Sequence, residues 1–189
     1  MKIGIISLGY GNIYSIAKML DYHGFETKLI TEEACLTPDV TKLILPGVGS
    51  FDRGINAIHE AGLFHKIIEF AKYKQLPILG ICLGMHLLCK SSQEGVEQGL
   101  GLIDAVVKKI REKDNTKLRL PHVGWRWVKK TKKSFLFPFV HTKERYYFTH
   151  SYTVALDDTC HTTSLVNYGF DLCASFESEN IFGVQFHPE

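Results

Sequence analysis

Three short segments hold residues whose types and spacing can do chemistry. In Gly80-Ile81-Cys82-Leu83-Gly84 a cysteine sits between two glycines, after a continuous apolar run and before helical spacing. A sharp strand-to-helix turn needs small residues on either side of a nucleophile, because larger side chains collide with the bent backbone. Such a turn lifts the nucleophile above the carboxyl edge of a sheet. There the unpaired N–H groups and dipole of the helix favour a thiolate and can bind an oxyanion. Alone, the pattern also fits a buried structural cysteine. In Gly183-Val184-Gln185-Phe186-His187-Pro188-Glu189 a histidine and an acid stand two residues apart. A thiol nucleophile needs a base to hold its proton, and the base needs a third group to orient its ring. His187 and Glu189 are the right types, although Pro188 between them also fits a plain strand end. In Leu45-Pro46-Gly47-Val48-Gly49-Ser50-Phe51 a glycine-flanked backbone can turn N–H groups toward an anion, or simply make a strand-to-helix turn.

A scaffold must bring these three segments together, and the first half of the chain reads as one. Lys2 to Leu8 is a β-rich apolar run that stops at Gly9, Gly11 and Asn12. Helical spacing follows from Ile13 to the stop at His23-Gly24. Phe25 to Ile30 and Leu43 to Leu45 read as strands, and Asn56 to Tyr73 as helix interrupted near Gly62. Pro77 to Ile81 reads as a strand covered on both faces, and Gly84 to Cys89 as helix. Alternating strands and helices predict a doubly wound α/β sheet. In the second half helical periodicity nearly vanishes. Leu102–Ile110, Trp125–Lys129, Tyr146–Thr149, Thr162–Asn167, Leu172–Ser175 and Ile181–Phe186 are short strand candidates. The expected architecture is an α/β core with an added antiparallel β layer, in one domain over residues 1–189, with no internal repeat.

Composition narrows the function. Hydrophobic residues make up 45% and charged residues 22%, which excludes a disordered or low-complexity protein. No apolar run approaches the ~20 residues of a membrane helix. A net charge of +2 is too mild to argue for nucleic acid. The cysteines Cys35, Cys82, Cys89, Cys160 and Cys173 include no CxxC pair, so neither a disulfide framework nor a zinc site is expected, and no metal or cofactor. The N-terminus lacks a signal-peptide cleavage pattern, and a reducing cytoplasm is the expected home. Residues 108–133 are basic, with only Glu112 and Asp114 against the lysines and arginines. That stretch reads as a solvated hairpin edge protected by lysines or as a docking surface for an acidic partner. Nucleic acid is disfavoured there, because Trp125 and Trp127 lie in a strand-like run that suits core or interface.

Jointly, GICLGMH, PGVGSF and GVQFHPE resemble the class I (triad-type) glutamine amidotransferases, nearly end to end. More narrowly, PGVGSFDRG, GLGLIDAVV, PHVGW and YYFTHSY are similar to the glutaminase subunits of imidazole glycerol phosphate synthase. The resemblance implies a flavodoxin-like, mostly parallel mixed sheet flanked by helices, and glutamine hydrolysis through a cysteine thioester. It makes Cys82 the nucleophile, His187 the general base and acid, and Glu189 its orienting partner. The oxyanion hole would come from the N–H groups of Leu83 and of the Gly47-Val48 loop. Gly49, His86, Ser151 and Tyr152 would hold the amino-acid end of L-glutamine, while His122, Tyr147 and His150 would pack or serve an interface. The other four cysteines would be inert.

The sequence departs from the family pattern in several places. His86 stands where the family usually has glutamine, Ser7-Leu8 stand for the Asp of IIDYGxGN and the residue beside it, and Arg126 replaces the Asn after PHVGW, with Trp127 following. The family usually continues past HPE, where this sequence ends at Glu189. No synthase domain is recognisable, so the expected partner is a separate synthase chain, most simply a cyclase barrel of histidine biosynthesis, in a heterodimer. The departures keep a paralogous glutaminase serving a sugar amidotransferase of surface-glycan synthesis in view. A catalytically silent interaction subunit and a free-standing cysteine hydrolase fit the three segments less well.

Overall fold

The computed structural model describes residues 1–111, 118–139, 141, 143–156 and 161–189. Cys160 and part of the basic stretch (Glu112, Lys113, Asp114 and Lys117) lie outside them. The first half alternates as its periodicity demands: β1 (Lys2–Ile6), α1 (Ile13–Tyr22), β2 (Thr27–Ile30), β3 (Val40–Gly47), α2 (Phe51–Glu60), α3 (Phe64–Ile68), β4 (Ile78–Cys82) and α4 (Leu83–Leu87). In α1 the buried residues Ile13, Ile16 and Leu20 recur at helical spacing along one face. Gly62, at φ 68°, breaks the helical run between α2 and α3 where the sequence placed an interruption. A π-helical turn, Glu69–Tyr73, extends α3. The second half is β5 (Ser91–Ser92), β6 (Ala105–Lys109), β7 (His122–Lys130), β8 (Glu144–His150), β9 (Tyr152–Leu156), β10 (Thr162–Asn167), β11 (Asp171–Ser178) and β12 (Ile181–Val184).

The strands make a nine-stranded sheet in the order β2-β1-β3-β4-β12-β11-β10-β7-β8, and a three-stranded sheet β5-β6-β9. From β2 to β12 neighbouring strands are parallel; from β12 onward they are antiparallel. The antiparallel second half is thus divided. Five of its strands, β12 included, join the main sheet, and the added layer is the small sheet, which is mixed rather than antiparallel because β5 pairs β6 in parallel.

Alternating residues of the buried strands face opposite sides, as strand geometry requires. Leu43 and Leu45 of β3 enter a core shared with α2, α3, α4 and the small sheet, which includes Phe51, Ile55, Ile58, Leu87 and Val107. Ile44, with Ile5 and Ile81, enters a second core under α1. That second core continues into the antiparallel half through Val128, Phe148, Val166, Leu172 and Phe186. The antiparallel half curls round it until β8 touches the chain beyond β12: Tyr147 bridges His187, and the Tyr146 ring stacks on Phe186 at 3.9 Å between centroids. The curl places β8 beside the last residues of the chain.

Candidate active site

The site begins at the end of β4. Cys82 has φ 52° and ψ −110°, a left-handed conformation that costs an L-residue on the order of 1–3 kcal/mol and persists only where its surroundings enforce it. The two flanking glycines are part of that enforcement. A Cβ on Gly84 would lie 1.6 Å from the Leu45 carbonyl oxygen, and one on Gly80 would lie 2.6 Å from the Gly84 carbonyl oxygen. Strand β3, the turn and the first residues of α4 therefore pack backbone against backbone, with Gly47 in register beside Cys82. The thiol is almost buried, at the first turn of α4.

The chain after β12 supplies the histidine. Because β12 pairs parallel with β4, its carboxyl end reaches the same sheet edge as Cys82. The His187 backbone N–H donates to the Tyr147 carbonyl at 3.0 Å, and its ring Nδ1 bonds Glu189 Oε1 at 2.9 Å. Asn12 Nδ2 donates to the same oxygen at 2.7 Å. Asn12 precedes α1 yet makes no side-chain cap there; its amide orients Glu189 instead. Burial works against the Glu189 charge, but the bonds from His187 and Asn12 outweigh it and hold the carboxyl below its usual range. His187 Nε2 is buried without a partner at full hydrogen-bond distance among the described residues. The Cys82 side chain, ahead of Glu189, raises the His187 pKa to about 10. The imidazole therefore holds a proton at neutral pH.

Two further side chains close the sulfur in. Gln185 Nε2 donates to Cys82 Sγ at 3.9 Å, and Gln185 Oε1 lies 2.7 Å from His86 Nε2. His86 is buried on α4, and desolvation holds its pKa down at about 4, so the ring is neutral.

Beside the sulfur opens a cavity of about 290 Å³. Val48, Gly49, Leu83 and His86 form one wall, and Thr149, His150, Ser151 and Tyr152 another. Glu94 is the one acid among its lining residues; it accepts the Phe51 N–H at 3.0 Å, and burial raises its pKa. His150 donates through Nδ1 to the Tyr152 carbonyl at 2.7 Å and meets His122 Nδ1 through Nε2 at 2.9 Å. Burial holds His150 down at about 3 and His122 at about 4.

This arrangement has known counterparts. The family model of class-I glutamine amidotransferases matches residues 5–189. The chain belongs to this family. A Methanococcus maripaludis protein named imidazole glycerol phosphate synthase subunit HisH 2 is 42% identical to this amidotransferase, over 99% of this chain and 91% of the relative. A Leptospira borgpetersenii protein named imidazole glycerol phosphate synthase subunit HisH is 38% identical over 99% of this chain and 92% of that one. A Pseudomonas aeruginosa HisH 2 is 36% identical, covering 99% and 91%. The fold matches a crystal structure of a glutamine amidotransferase with TM-score 0.76, covering 98% of this chain and 89% of that one at 19% identity. It also matches the structure of PurLQS from Thermotoga maritima with TM-score 0.70, covering 99% and 87% at 18% identity.

The amidotransferase chain brings Cys82, His187 and Glu189 into one cluster, and places Val48, Gly49, Leu83, His86, Ser151 and Tyr152 around one cavity. Gly47 sits behind the elbow, where a Cβ would lie 2.9 Å from Leu83 Cβ. His150, expected in packing, also lines the cavity. Asn12, Glu94 and Gln185 escaped the sequence reading. Each lay inside or near a quoted segment, but only tertiary structure aims them. Cys89 and Cys173 are buried thiols whose pKa burial pushes up. In the basic stretch, Lys130 is no solvated edge residue: its side chain is buried and pairs with Glu144 at 2.7 Å. Trp125 and Trp127 are exposed and do not enter the core.

Proposed function

We propose that this chain cleaves the side-chain amide of L-glutamine through a thioester on Cys82 and passes the ammonia to a separate synthase chain. The observation that carries the reading is a cysteine held at positive φ against a carboxylate-oriented imidazole, at the wall of a cavity with a single lining acid. Glu94 takes the α-ammonium of glutamine, and Ser151 and Tyr152 take its carboxylate. The Cys82 sulfur attacks the amide carbon. Negative charge gathers on the former carbonyl oxygen, which the N–H groups of Leu83 and Val48 stabilise. His187, already protonated, gives its proton to the leaving nitrogen as the C–N bond breaks, so ammonia departs and the thioester remains. Water, deprotonated by His187, then adds to the thioester; glutamate leaves and the proton returns to the Cys82–His187 pair. Glutamine and water have become glutamate and ammonia.

Ammonia is protonated in water at neutral pH and is then a poor nucleophile, so a covered route to the acceptor is the physically sensible one. Val123, Trp125 and Trp127 stand at every second position of β7, all exposed, as an apolar strip that a partner subunit can cover. The names of the relatives favour the cyclase of imidazole glycerol phosphate synthase as that partner, in the histidine pathway. The biosynthetic relatives and the free thiols Cys35, Cys82, Cys89 and Cys173 favour a cytoplasmic home. The test is synthesis by the chain together with its co-purified partner. C82A is expected to abolish product formation from glutamine and to leave formation from ammonium salts intact. Glutamine-dependent synthesis surviving in C82A overturns the assignment, and a co-purified sugar-modifying synthase in place of a cyclase overturns the pathway.

A further inference from the structure

We propose that His86 is a positioning residue for the nucleophile, acting through Gln185, rather than a ligand of the substrate. The inference rests on Cys82 being the attacking group. A carboxamide has two ends of nearly the same shape, and its neighbours decide which end faces a given atom. Gln185 lies between Cys82 Sγ, 3.9 Å from its Nε2, and His86 Nε2, 2.7 Å from its Oε1. Both side chains are buried, and the Gln185 backbone N–H is fixed to the Ala174 carbonyl at 2.9 Å, so no water exchange relaxes the choice.

With the proton of His86 on Nε2, that nitrogen donates to Oε1 and the amide NH2 must face the sulfur. With the proton on Nδ1, Nε2 would accept, the amide would turn over, and a carbonyl oxygen would face a sulfur that must carry negative charge. Only the first arrangement suits a thiolate. The direction of the chain is then fixed: His86 Nε2–H to Gln185 Oε1, and Gln185 Nε2–H to Cys82 Sγ. His150 does not compete for His86, because both its ring nitrogens are engaged, by the Tyr152 carbonyl and by His122. Desolvation keeps His86 neutral, so it brings no positive charge toward either the sulfur or the substrate's ammonium. Its contribution is orientation.

The two roles for His86 separate in kinetics. A positioning residue changes the reactivity of the sulfur with no substrate present; a substrate ligand changes KM and leaves the free sulfur alone. The experiment measures alkylation of Cys82 by iodoacetamide in the full chain at pH 7, followed on the Cys82 peptide by mass spectrometry, alongside glutaminase kcat and KM with the co-purified partner. H86L removes the donor. It is expected to slow Cys82 alkylation and to lower kcat, each by about threefold to tenfold, the range for losing one hydrogen bond between neutral groups, with KM within about twofold. H86Q, whose amide N–H has similar reach, recovers most of both. A raised KM in H86L with unchanged alkylation overturns the inference. Should H86L fail to fold, Q185M decides: of similar length and uncharged, it gives His86 no acceptor and the sulfur no donor, so alkylation slows if the inference holds and an unchanged rate overturns it. Slow alkylation in these variants of a chain that releases no glutamate with its partner would support the positioning role while refuting the glutaminase reading.

Discussion

The buried, neutral state of His86 has a thermodynamic consequence that can be measured without substrate. In the unfolded chain a histidine titrates near 6.5; in the fold, desolvation lowers His86 to about 4. Between those values the unfolded state binds the extra proton, so the stability contributed by the neutral ring is fully present above 6.5 and is lost as pH falls toward 4. For these two values the linkage relation puts the loss between pH 7.5 and pH 5.0 at about 2 kcal/mol, a sizeable part of a typical 5–15 kcal/mol stability. H86Q removes the titration while keeping a donor for Gln185. The assay is urea unfolding of both proteins at the two pH values, followed by tryptophan fluorescence and circular dichroism. Other titrating groups, His150 and His122 among them, contribute to both proteins and cancel in the difference. The wild-type chain should lose about 2 kcal/mol more than H86Q on acidification. Parallel losses would mean that His86 is solvated or already protonated in the fold, and would refute the tautomer argument along with the burial.

Two other substitutions probe the frame of the site. N12A removes one of the two hydrogen bonds on Glu189 Oε1 and should lower glutaminase kcat roughly threefold to tenfold with little change in melting temperature; an unchanged kcat would show that His187 alone orients the carboxylate. G84A sets a methyl group 1.6 Å from the Leu45 carbonyl oxygen and should cost more than about 4 kcal/mol, seen as loss of soluble, cooperatively melting protein; a normal melt would show that the elbow is not packed backbone to backbone.

The alternation of the first half was legible because its longer elements show a period and several of them stop at glycine. Gly24, Gly47 and Gly62 fall at or within two residues of the ends of α1, β3 and α2. The second half was legible as strands but not as a sheet. β8 and β9 are separated by Ser151 alone, yet β8 belongs to the main sheet and β9 to the small one. A strand that changes sheets keeps its alternating pattern across the corner, so nothing in the sequence marks the change, and β9 went unread. β5, two residues long, has no pattern to show. Among the site residues, a glycine-flanked cysteine and a His-Pro-Glu announce themselves by local geometry. Asn12 does not, because its task lies 177 residues away at Glu189. Its type suggests a helix cap, and only the tertiary contact shows the side chain used elsewhere.

The place where the two halves meet explains why both are needed. Strands β3, β4 and β12 run parallel, so Gly47, Cys82 and the segment from Gln185 to Glu189 all leave the sheet at one edge. Parallel pairing alone would bring Cys82 and His187 to the same rim, but it leaves His187 three residues beyond its last strand, outside the ladder that would fix it. The antiparallel half removes that freedom. By curling round its own core it carries β8 to the rim, where the Tyr147 carbonyl holds the His187 backbone, Tyr146 stacks on Phe186, and Ser151 and Tyr152 form the opposite wall of the cavity. An imidazole fixed at its backbone by one half of the sheet and at its ring by Glu189 and Asn12 cannot swing away from the sulfur. The β-rich half is therefore the part of the fold that holds the His187 imidazole beside the cysteine.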